Sequence, residues 1–441
     1  MDFFGREREI GILRDFRDKA ETVAQFIVLT GRRRVGKTEL VRKALDDGST
    51  PYLHLTITRQ PERTLCLDLQ NEVEQALGAI VVGQATRFSE LFEAVVKMSL
   101  GHPMTVVLDE FQEFDRVNPG VFGAVQRIWD KYHSRAKLNL VICGSVNRLM
   151  EKIFFSDAEP LYGRNTGSLE LKPFRISELK EMLGGQHPNY RPDDLLSLWT
   201  VSGGVARYVN LLVGDHALTR KAMLASIFRE GSSWIDEGRT VLADEFGPDY
   251  GTYFTILSAI AGGRTSSSDI KNLIGAEVGG FLSKLEDRYR IVSKKQPIFE
   301  RTVAKNCHYQ IDDCFFRFWF RFVFRHRAFV ELGRYDRLLE LATRDFDTFS
   351  GYALERYFLW KFRETTDYTR MGAWWDRKGE NEIDLVCEDE FSNKLDFFEI
   401  KRDASRFDKK ALEAKASAFF AKNPDKRDRT CSFNGLSLKD L

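Results

Sequence analysis

The sequence lacks any apolar run that approaches the length of a membrane span, so we expect no segment that crosses a bilayer. Its amino-terminal residues form neither a basic start nor an apolar signal core. The net charge of the 441-residue chain is only +1, so any attraction to nucleic acid must come from local patches. These absences favour a cytoplasmic protein that makes no contact with a membrane.

Cysteine is scarce, and no two cysteines form a C-x-x-C pair. The six are Cys66, Cys143, Cys307, Cys314, Cys387 and Cys431. Their scatter indicates reduced structural thiols and argues against a zinc site. With 30% charged and 43% apolar residues, a chain of this length predicts a soluble globular protein of two or three domains.

The most informative segment is the phosphate-binding pattern G-x-x-x-x-G-K-[ST] at residues 31–38. An apolar, β-prone run precedes it and a segment with helical spacing follows, which is the order that a P-loop requires. Inward-turned backbone N–H groups and the helix N-terminus then bind phosphate oxygens. We expect Lys37 to reach the β- and γ-phosphates and Thr38 to hold magnesium. The predicted nucleotide-binding residues of this loop are Gly31, Arg32, Arg33, Arg34, Val35, Gly36, Lys37, Thr38 and Glu39.

A second apolar run, residues 104–108, predicts a buried parallel strand that ends in Asp109 and Glu110. A carboxylate at the C-terminal end of a strand beside the P-loop binds magnesium through water, which is the role we predict for Asp109. Glu110 is the candidate for polarising the attacking water. The acidic pair therefore favours hydrolysis over nucleotide binding alone.

A third apolar run, residues 138–145, ends in a small polar residue. In related P-loop ATPases such a strand lies between the P-loop strand and the Walker B strand, and its polar tip senses the γ-phosphate. Ser145 is the first candidate for that sensor, and Asn147 is the second. A simple Gly-Ser turn is the alternative interpretation.

Further motifs resemble those of the archaeal-type DEXX-box ATPases, a branch near the STAND class of AAA+ proteins. Residues 4–9 are similar to the F-x-G-R-E box that lies against adenine in that family. Residues 161–164 with 169–174 also match, and residues 202–208 are similar to the G-G-x-P-x-Y lid motif. This sequence has Ala206 where the lid motif has proline.

The resemblance implies roles for four more residues of the nucleotide site. Gly5 and Arg6 would lie at the nucleotide. Arg164 would be an arginine finger at the γ-phosphate, with a plain surface arginine as the alternative. Arg207 would serve as a second sensor from the lid.

The middle of the chain has three short helical segments before the β-prone residues 291–295, which is typical of a winged helix-turn-helix. Its third helix and wing carry basic side chains that are candidates for contacts with duplex phosphates: Lys284, Arg288, Arg290, Lys294 and Lys295. A structural lid or a dock for a partner is the alternative. In the aromatic segment that follows, Arg317, Arg321 and Arg325 recur every four residues and should share one helix face. That face is either the paired edge of a core helix or a cationic strip facing nucleic acid.

The C-terminal part resembles the PD-(D/E)XK nuclease core, because Asp384 and Glu399-x-Lys401 fall at the ends of predicted strands. The resemblance implies that Glu355, Asp384 and Glu399 bind a divalent metal and that Lys401 lies beside the attacking water. Two carboxylates on adjacent strands can share such an ion, which activates water. Ile383 stands where many of these nucleases have proline, and the domain either cleaves or only binds its substrate.

The sequence thus predicts an α/β protein with a P-loop parallel-sheet ATPase core at residues 1–175 and a helical lid at 176–244. A winged helix follows at 245–310, then a linker helix at 311–345 and a restriction-endonuclease-like α/β domain at 346–441. The predicted function is the binding and hydrolysis of ATP with Mg²⁺, coupled to the nuclease-like domain, which acts on or binds DNA and holds a second Mg²⁺ or Mn²⁺.

Two alternatives to this function stay open. One is an Mg²⁺- or Mn²⁺-dependent DNA nuclease that is gated by nucleotide. The other is a slow nucleotide-dependent switch that binds DNA or protein. The expected partners are ATP, DNA through the winged helix and the C-terminal domain, and a protein partner or a second copy of the chain.

Overall fold

The computed structural model describes residues 3–78, 83–145, 148–246, 250–300, 307–376 and 379–441, with only the backbone described at residues 148, 244 and 245. The chain divides into two compact units, Met1–Pro173 and Phe174–Leu441. None of the helices in the described ranges combines the length and the apolar character that crossing a bilayer demands.

The first unit is a five-stranded parallel sheet with helices on both faces, and its strand order is β2-β3-β4-β1-β5. The strands are β1 (Gln25–Gly31), β2 (Tyr52–Thr56), β3 (Met104–Asp109), β4 (Leu138–Ser145) and β5 (Gly167–Leu171). The helices are α1 (Glu7–Lys19), α2 (Lys37–Leu45), α3 (Glu62–Leu77), α4 (Phe88–Met98), α5 (Phe114–Val117), α6 (Gly120–Tyr132) and α7 (Arg148–Phe155).

Strand β1 is buried on both faces because its alternate side chains enter two different cores. Phe26 and Val28 belong to the larger core, which α3, α4 and α6 cover, whereas Ile27 and Leu29 belong to the core under α1 and α2. Strand β4 lies between β3 and β1, which confirms the place predicted for the third apolar run. The carboxyl ends of these parallel strands share one edge of the sheet, where ligands bind in open α/β folds.

The second unit begins with helices: α8 (Ile176–Gln186), α9 (Pro192–Ser202), α10 (Ala206–Gly214), α11 (Arg220–Ile227), α12 (Ser233–Phe246), α13 (Tyr250–Ala261), α14 (Ser267–Ile274) and α15 (Gly279–Ser283). A π-helical turn at Lys284–Arg288 leads to an antiparallel pair, β6 (Val292–Lys295) and β7 (His308–Ile311). This order of elements is the one predicted for the winged helix, although its identity as a winged helix stays a prediction.

The aromatic segment forms α16 (Cys314–Phe322), which α17 (Arg327–Glu331) and α18 (Tyr335–Thr365) follow. Since α16 ends at Phe322 and Arg325 lies in a separate 3-10 turn, the expectation that Arg317, Arg321 and Arg325 share one helix face was wrong. Helix α18 is 31 residues long and runs through the domain boundary predicted at residue 345.

A four-stranded sheet of order β11-β10-β9-β8 completes the chain. Its elements are β8 (Arg370–Trp375), β9 (Glu382–Asp389), β10 (Lys394–Ile400), α19 (Lys409–Lys422) and β11 (Thr430–Leu436). The β8, β9 and β10 strands pair antiparallel, whereas β10 and β11 pair parallel. Trp374, Phe397 and Phe419 form the centre of the core between this sheet and α19.

Candidate functional site

The P-loop joins β1 to α2 through backbone conformations that favour glycine. Gly36 has a φ of 98°, and Arg34 adopts a φ of 69°. A side chain on Gly31 would place its Cβ 2.8 Å from the carbonyl oxygen of Leu171, so the loop leaves no room for one there. Helix α2 begins at Lys37, and its N-terminus therefore faces the loop, as phosphate binding requires.

The Lys37 side chain is buried, with only 8% of its surface exposed. Its Nζ donates to the carbonyl oxygens of Gly31 at 2.9 Å and Arg32 at 3.3 Å. Burial lowers the pKa of this amine, although the Glu110 and Asp109 carboxylates act in the opposite direction. An ammonium has three N–H donors, so Lys37 keeps one for a phosphate oxygen.

The predicted magnesium ligands are in direct contact. Thr38 Oγ1 donates to Asp109 Oδ2 over 2.9 Å, and His54 Nε2 on β2 lies 3.4 Å from the same oxygen. The Tyr52 hydroxyl in turn lies 3.0 Å from His54 Nδ1. Burial alone would raise the pKa of the Asp109 carboxyl, but the hydrogen bonds from His54 and Thr38 hold it below its usual value. The carboxylate is therefore ionised and oriented toward the P-loop threonine.

The other two candidates at the sheet edge lie beside this pair. Glu110 has a φ of 53°, its N–H donates to Asp109 Oδ1 at 2.9 Å, and its carboxylate accepts from the Gln112 side chain. Ser145 Oγ is buried and has no hydrogen-bond partner among the described residues. A buried hydroxyl left without a partner is unfavourable, so Ser145 suits a contact with an incoming polar group. Asn147 lies outside the described residues.

The remaining nucleotide-site candidates have partners of their own. Arg6, at a φ of 74°, follows Gly5 and donates to the Lys172 carbonyl over 2.7 Å, which ties the start of α1 to the end of β5. Arg164 pairs with Asp130 of α6 at 3.3 Å. The other pairs are Glu39 with Arg42 at 2.9 Å and, in the second unit, Arg207 with Glu237 at 3.3 Å. The structure thus joins Lys37, Thr38, Asp109 and Glu110, whereas the roles of Arg164 and Arg207 stay predictions.

The C-terminal candidates also come together, but lysines neutralise them. Asp384 lies on β9 and Glu399 on the neighbouring β10. Lys401 Nζ is 2.9 Å from Glu399 Oε1 and 3.5 Å from Asp384 Oδ2. Lys415, on α19, contacts both oxygens of Glu399, at 3.1 and 2.9 Å.

The third predicted carboxylate of the C-terminal site, Glu355, lies on α18. Its Oε2 is 4.0 Å from Lys295 Nζ, which β6 carries. Burial raises the pKa of Glu355 to about 7, and the charge of Asp384 acts in the same direction. In the ranges that the structure describes, no three acidic, histidine or cysteine side chains are arranged to hold a metal ion.

Sequence reasoning missed His54 and Lys415, and it assigned Lys295 to duplex phosphates, whereas the structure places Lys295 beside Glu355. Each of these side chains lies on a different element from the residue that it contacts, so no local pattern predicts the contact. The only available signal for His54 is its position on a strand that neighbours β3.

The sequence and the fold of this chain resemble those of known proteins. Residues 3–212 match a family described as an ATPase domain predominantly from Archaea, and residues 319–412 match archaeal and bacterial proteins of unknown function. An uncharacterised protein of Methanocaldococcus jannaschii is 28% identical over 411 residues, which cover 90% of this chain and 87% of that protein. A Walker-type ATPase of Pyrococcus abyssi has the same fold, with a TM-score of 0.52 and 19% identity over 72% of this chain and 96% of the other.

Residues 3–212 are therefore similar in sequence to an archaeal ATPase domain, and the first unit has the fold of a P-loop ATPase. This confirms the ATPase part of the predicted resemblance. The family matched by residues 319–412 has no described function, so the nuclease-like assignment stays a prediction.

Proposed function

We propose that this protein binds ATP together with Mg²⁺ at the P-loop and hydrolyses it. The observation that carries the proposal is the 2.9 Å hydrogen bond from Thr38 Oγ1 to Asp109 Oδ2. These two oxygens are the side-chain groups that hold the magnesium in P-loop NTPases. Both are hard oxygen donors, which Mg²⁺ prefers.

The residues of the site would divide the reaction between them. Lys37 and the N–H groups at the start of α2 would hold the β- and γ-phosphates, and Ser145 would donate to a γ-phosphate oxygen. The magnesium, when bound, would neutralise the charge that develops on these oxygens. Glu110 would orient the attacking water and accept its proton as the bond between the β- and γ-phosphates breaks. Arg164 and Arg207 would add positive charge after leaving Asp130 and Glu237.

The test compares two alanine substitutions on the same helix. Lys37→Ala should reduce ATP turnover by more than about a hundredfold, because it removes a preorganised charge at the phosphates. Lys43→Ala, at an exposed position of α2, is the matched control and should turn over ATP normally. Circular dichroism would establish that both variants are folded. Normal turnover by folded Lys37→Ala protein would remove the proposal.

A second candidate function, metal-dependent cleavage of DNA, is favoured by the placement of Asp384 and Glu399 on adjacent strands, with Lys401 directly after the second strand. A divalent ion would have to displace the Lys401 and Lys415 ammonium groups from Glu399. We expect Mn²⁺-dependent cleavage that Asp384→Ala abolishes and that Asp389→Ala, at the far end of the same strand, leaves intact. A wild-type protein that cuts neither DNA nor RNA would reject this function. A slow nucleotide-dependent switch would instead show a single, very slow turnover of bound ATP.

A further inference from the structure

A cleft of about 440 Å³ lies in the second unit, and the residues that line it are different from those of the two groups described above. Helices α16 and α18 form its sides, and the end of α13 and strand β7 complete it. Its volume falls within the range of about 300–1,000 Å³ that is usual for small-molecule sites. Ile260, Ile311 and Phe349 give it apolar walls, and Arg317 and Arg321 supply positive charge.

Arg317 differs from the arginines around it in its partners. Arg321 pairs with Asp345 at 3.2 Å, and Arg356 pairs with Asp312 at 3.4 Å. The half-buried Arg317 makes no ion pair with any residue in the described ranges. Its guanidinium instead lies over the Tyr352 ring, 3.7 Å from the ring centroid.

A guanidinium that is partly removed from water loses hydration, and an aromatic face replaces only part of it. The edge of the guanidinium keeps its N–H groups, whose fork geometry matches a phosphate or carboxylate group. Burial lowers the pKa of Arg317, although the charge of Glu355 acts in the opposite direction, so the nearby carboxylate only partly compensates the guanidinium.

The surroundings of the cleft are also positive. Asp345 lines it, but Arg321 and Arg344 both contact that carboxylate, at 3.2 and 2.7 Å. Burial, and then the charges of Arg325 and Arg321, lower the pKa of the nearby His326. An anion that enters the cleft would therefore meet uncompensated positive charge.

We propose that this cleft binds a small phosphorylated molecule, with Arg317 holding the phosphate and Ile260, Ile311 and Tyr309 covering the organic part. None of these residues belongs to the ATP site, so the proposal goes beyond ATP hydrolysis. A nucleic-acid strand is the rival ligand. The small ligand is favoured because Arg317 is half-buried and the cleft has a volume of only about 440 Å³, whereas a strand needs a longer groove that tracks its backbone.

Calorimetric titration of the full chain tests the proposal. Every protein in this titration carries Lys37→Ala, which weakens phosphate binding at the P-loop. The titration therefore reports on the cleft whether or not the chain hydrolyses ATP. The probes are AMP, inorganic phosphate and a short single-stranded DNA. We expect AMP to bind one site, more tightly than phosphate does, and Arg317→Gln to weaken AMP binding by at least about tenfold. Arg337→Gln, an exposed arginine of α18 paired with Glu340, is the control and should bind AMP normally.

A second variant covers the case in which Arg317→Gln does not fold. Thr348→Trp narrows the exposed rim of the cleft, leaves Arg317 in place, and should also weaken AMP binding. The proposal is overturned if AMP shows no saturable binding, or if folded variants at Arg317 and Thr348 bind it as tightly as the control. DNA binding that depends on Arg317, without AMP binding, would overturn it in favour of a nucleic-acid groove.

Discussion

The contact between His54 and Asp109 leads to a prediction that depends directly on the structure of the nucleotide site. His54 Nε2 lies 3.4 Å from Asp109 Oδ2, the oxygen that also accepts from Thr38. His54→Ala removes this contact. Thr38 then remains as the side chain that orients the Asp109 carboxylate. A well-formed hydrogen bond to a charged group contributes about 1.5–3 kcal/mol. Because the His54 contact is longer than such a bond, we expect the lower end of this range, which corresponds to roughly a tenfold change in an equilibrium constant.

The assay is the Mg²⁺ dependence of ATP turnover. We expect His54→Ala to require about tenfold more Mg²⁺ for half-maximal activity, because its Asp109 is less well positioned for the metal. His54→Gln is the matched control, because a glutamine amide N–H can occupy the place of Nε2 and should restore most of the wild-type response. An alanine variant with an unchanged Mg²⁺ requirement and an unchanged kcat would refute this reasoning.

Two further predictions concern the second unit. Burial and the charges of Arg325 and Arg321 lower the pKa of His326. At a pH just below about 6.5, the pKa of a histidine in the unfolded chain, the folded chain therefore binds fewer protons than the unfolded chain. Stability should therefore fall as the pH drops from about 7 to about 5, and His326→Gln should flatten that part of a denaturation series; an identical slope in the variant would contradict the assignment. Arg402 contacts both Asp193 of α9 and Asp347 of α18, and its Nη2 lies 3.1 Å from Asp347 Oδ1. Arg402→Ala should therefore lower the free energy of unfolding by about 1–3 kcal/mol. A double-mutant cycle with Asp193→Ala should show non-additivity, and strict additivity would show that the pair does not interact.

Local patterns predicted the nucleotide site because the P-loop is a continuous strand–loop–helix segment. The spacing of Gly31, Gly36, Lys37 and Thr38 contains most of the information that fixes phosphate binding. The role of Asp109 was predicted from an apolar run that ends in two acidic residues. The position of β4 was predicted from its resemblance to strands of related ATPases. These predictions needed no knowledge of distant contacts.

The rest depended on contacts between elements that are remote in sequence. His54 reaches Asp109 only because β2 pairs with β3, and Lys415 reaches Glu399 only because α19 packs on β10. The arginine repeat failed as a helix face because α16 ends at Phe322, and spacing alone does not report where a helix stops. Similarly, the sequence analysis placed a domain boundary at residue 345, whereas the continuous helix α18 runs through that position.

The most direct test of the central claim is a calorimetric titration of folded wild-type protein with ATP, with and without Mg²⁺, alongside Thr38→Ala. We predict one site that binds ATP with Mg²⁺ at least about tenfold more tightly than ATP alone, and a Thr38→Ala variant that loses most of this difference. No heat of binding from well-folded wild-type protein, or the same Mg²⁺ effect in Thr38→Ala, would contradict the account.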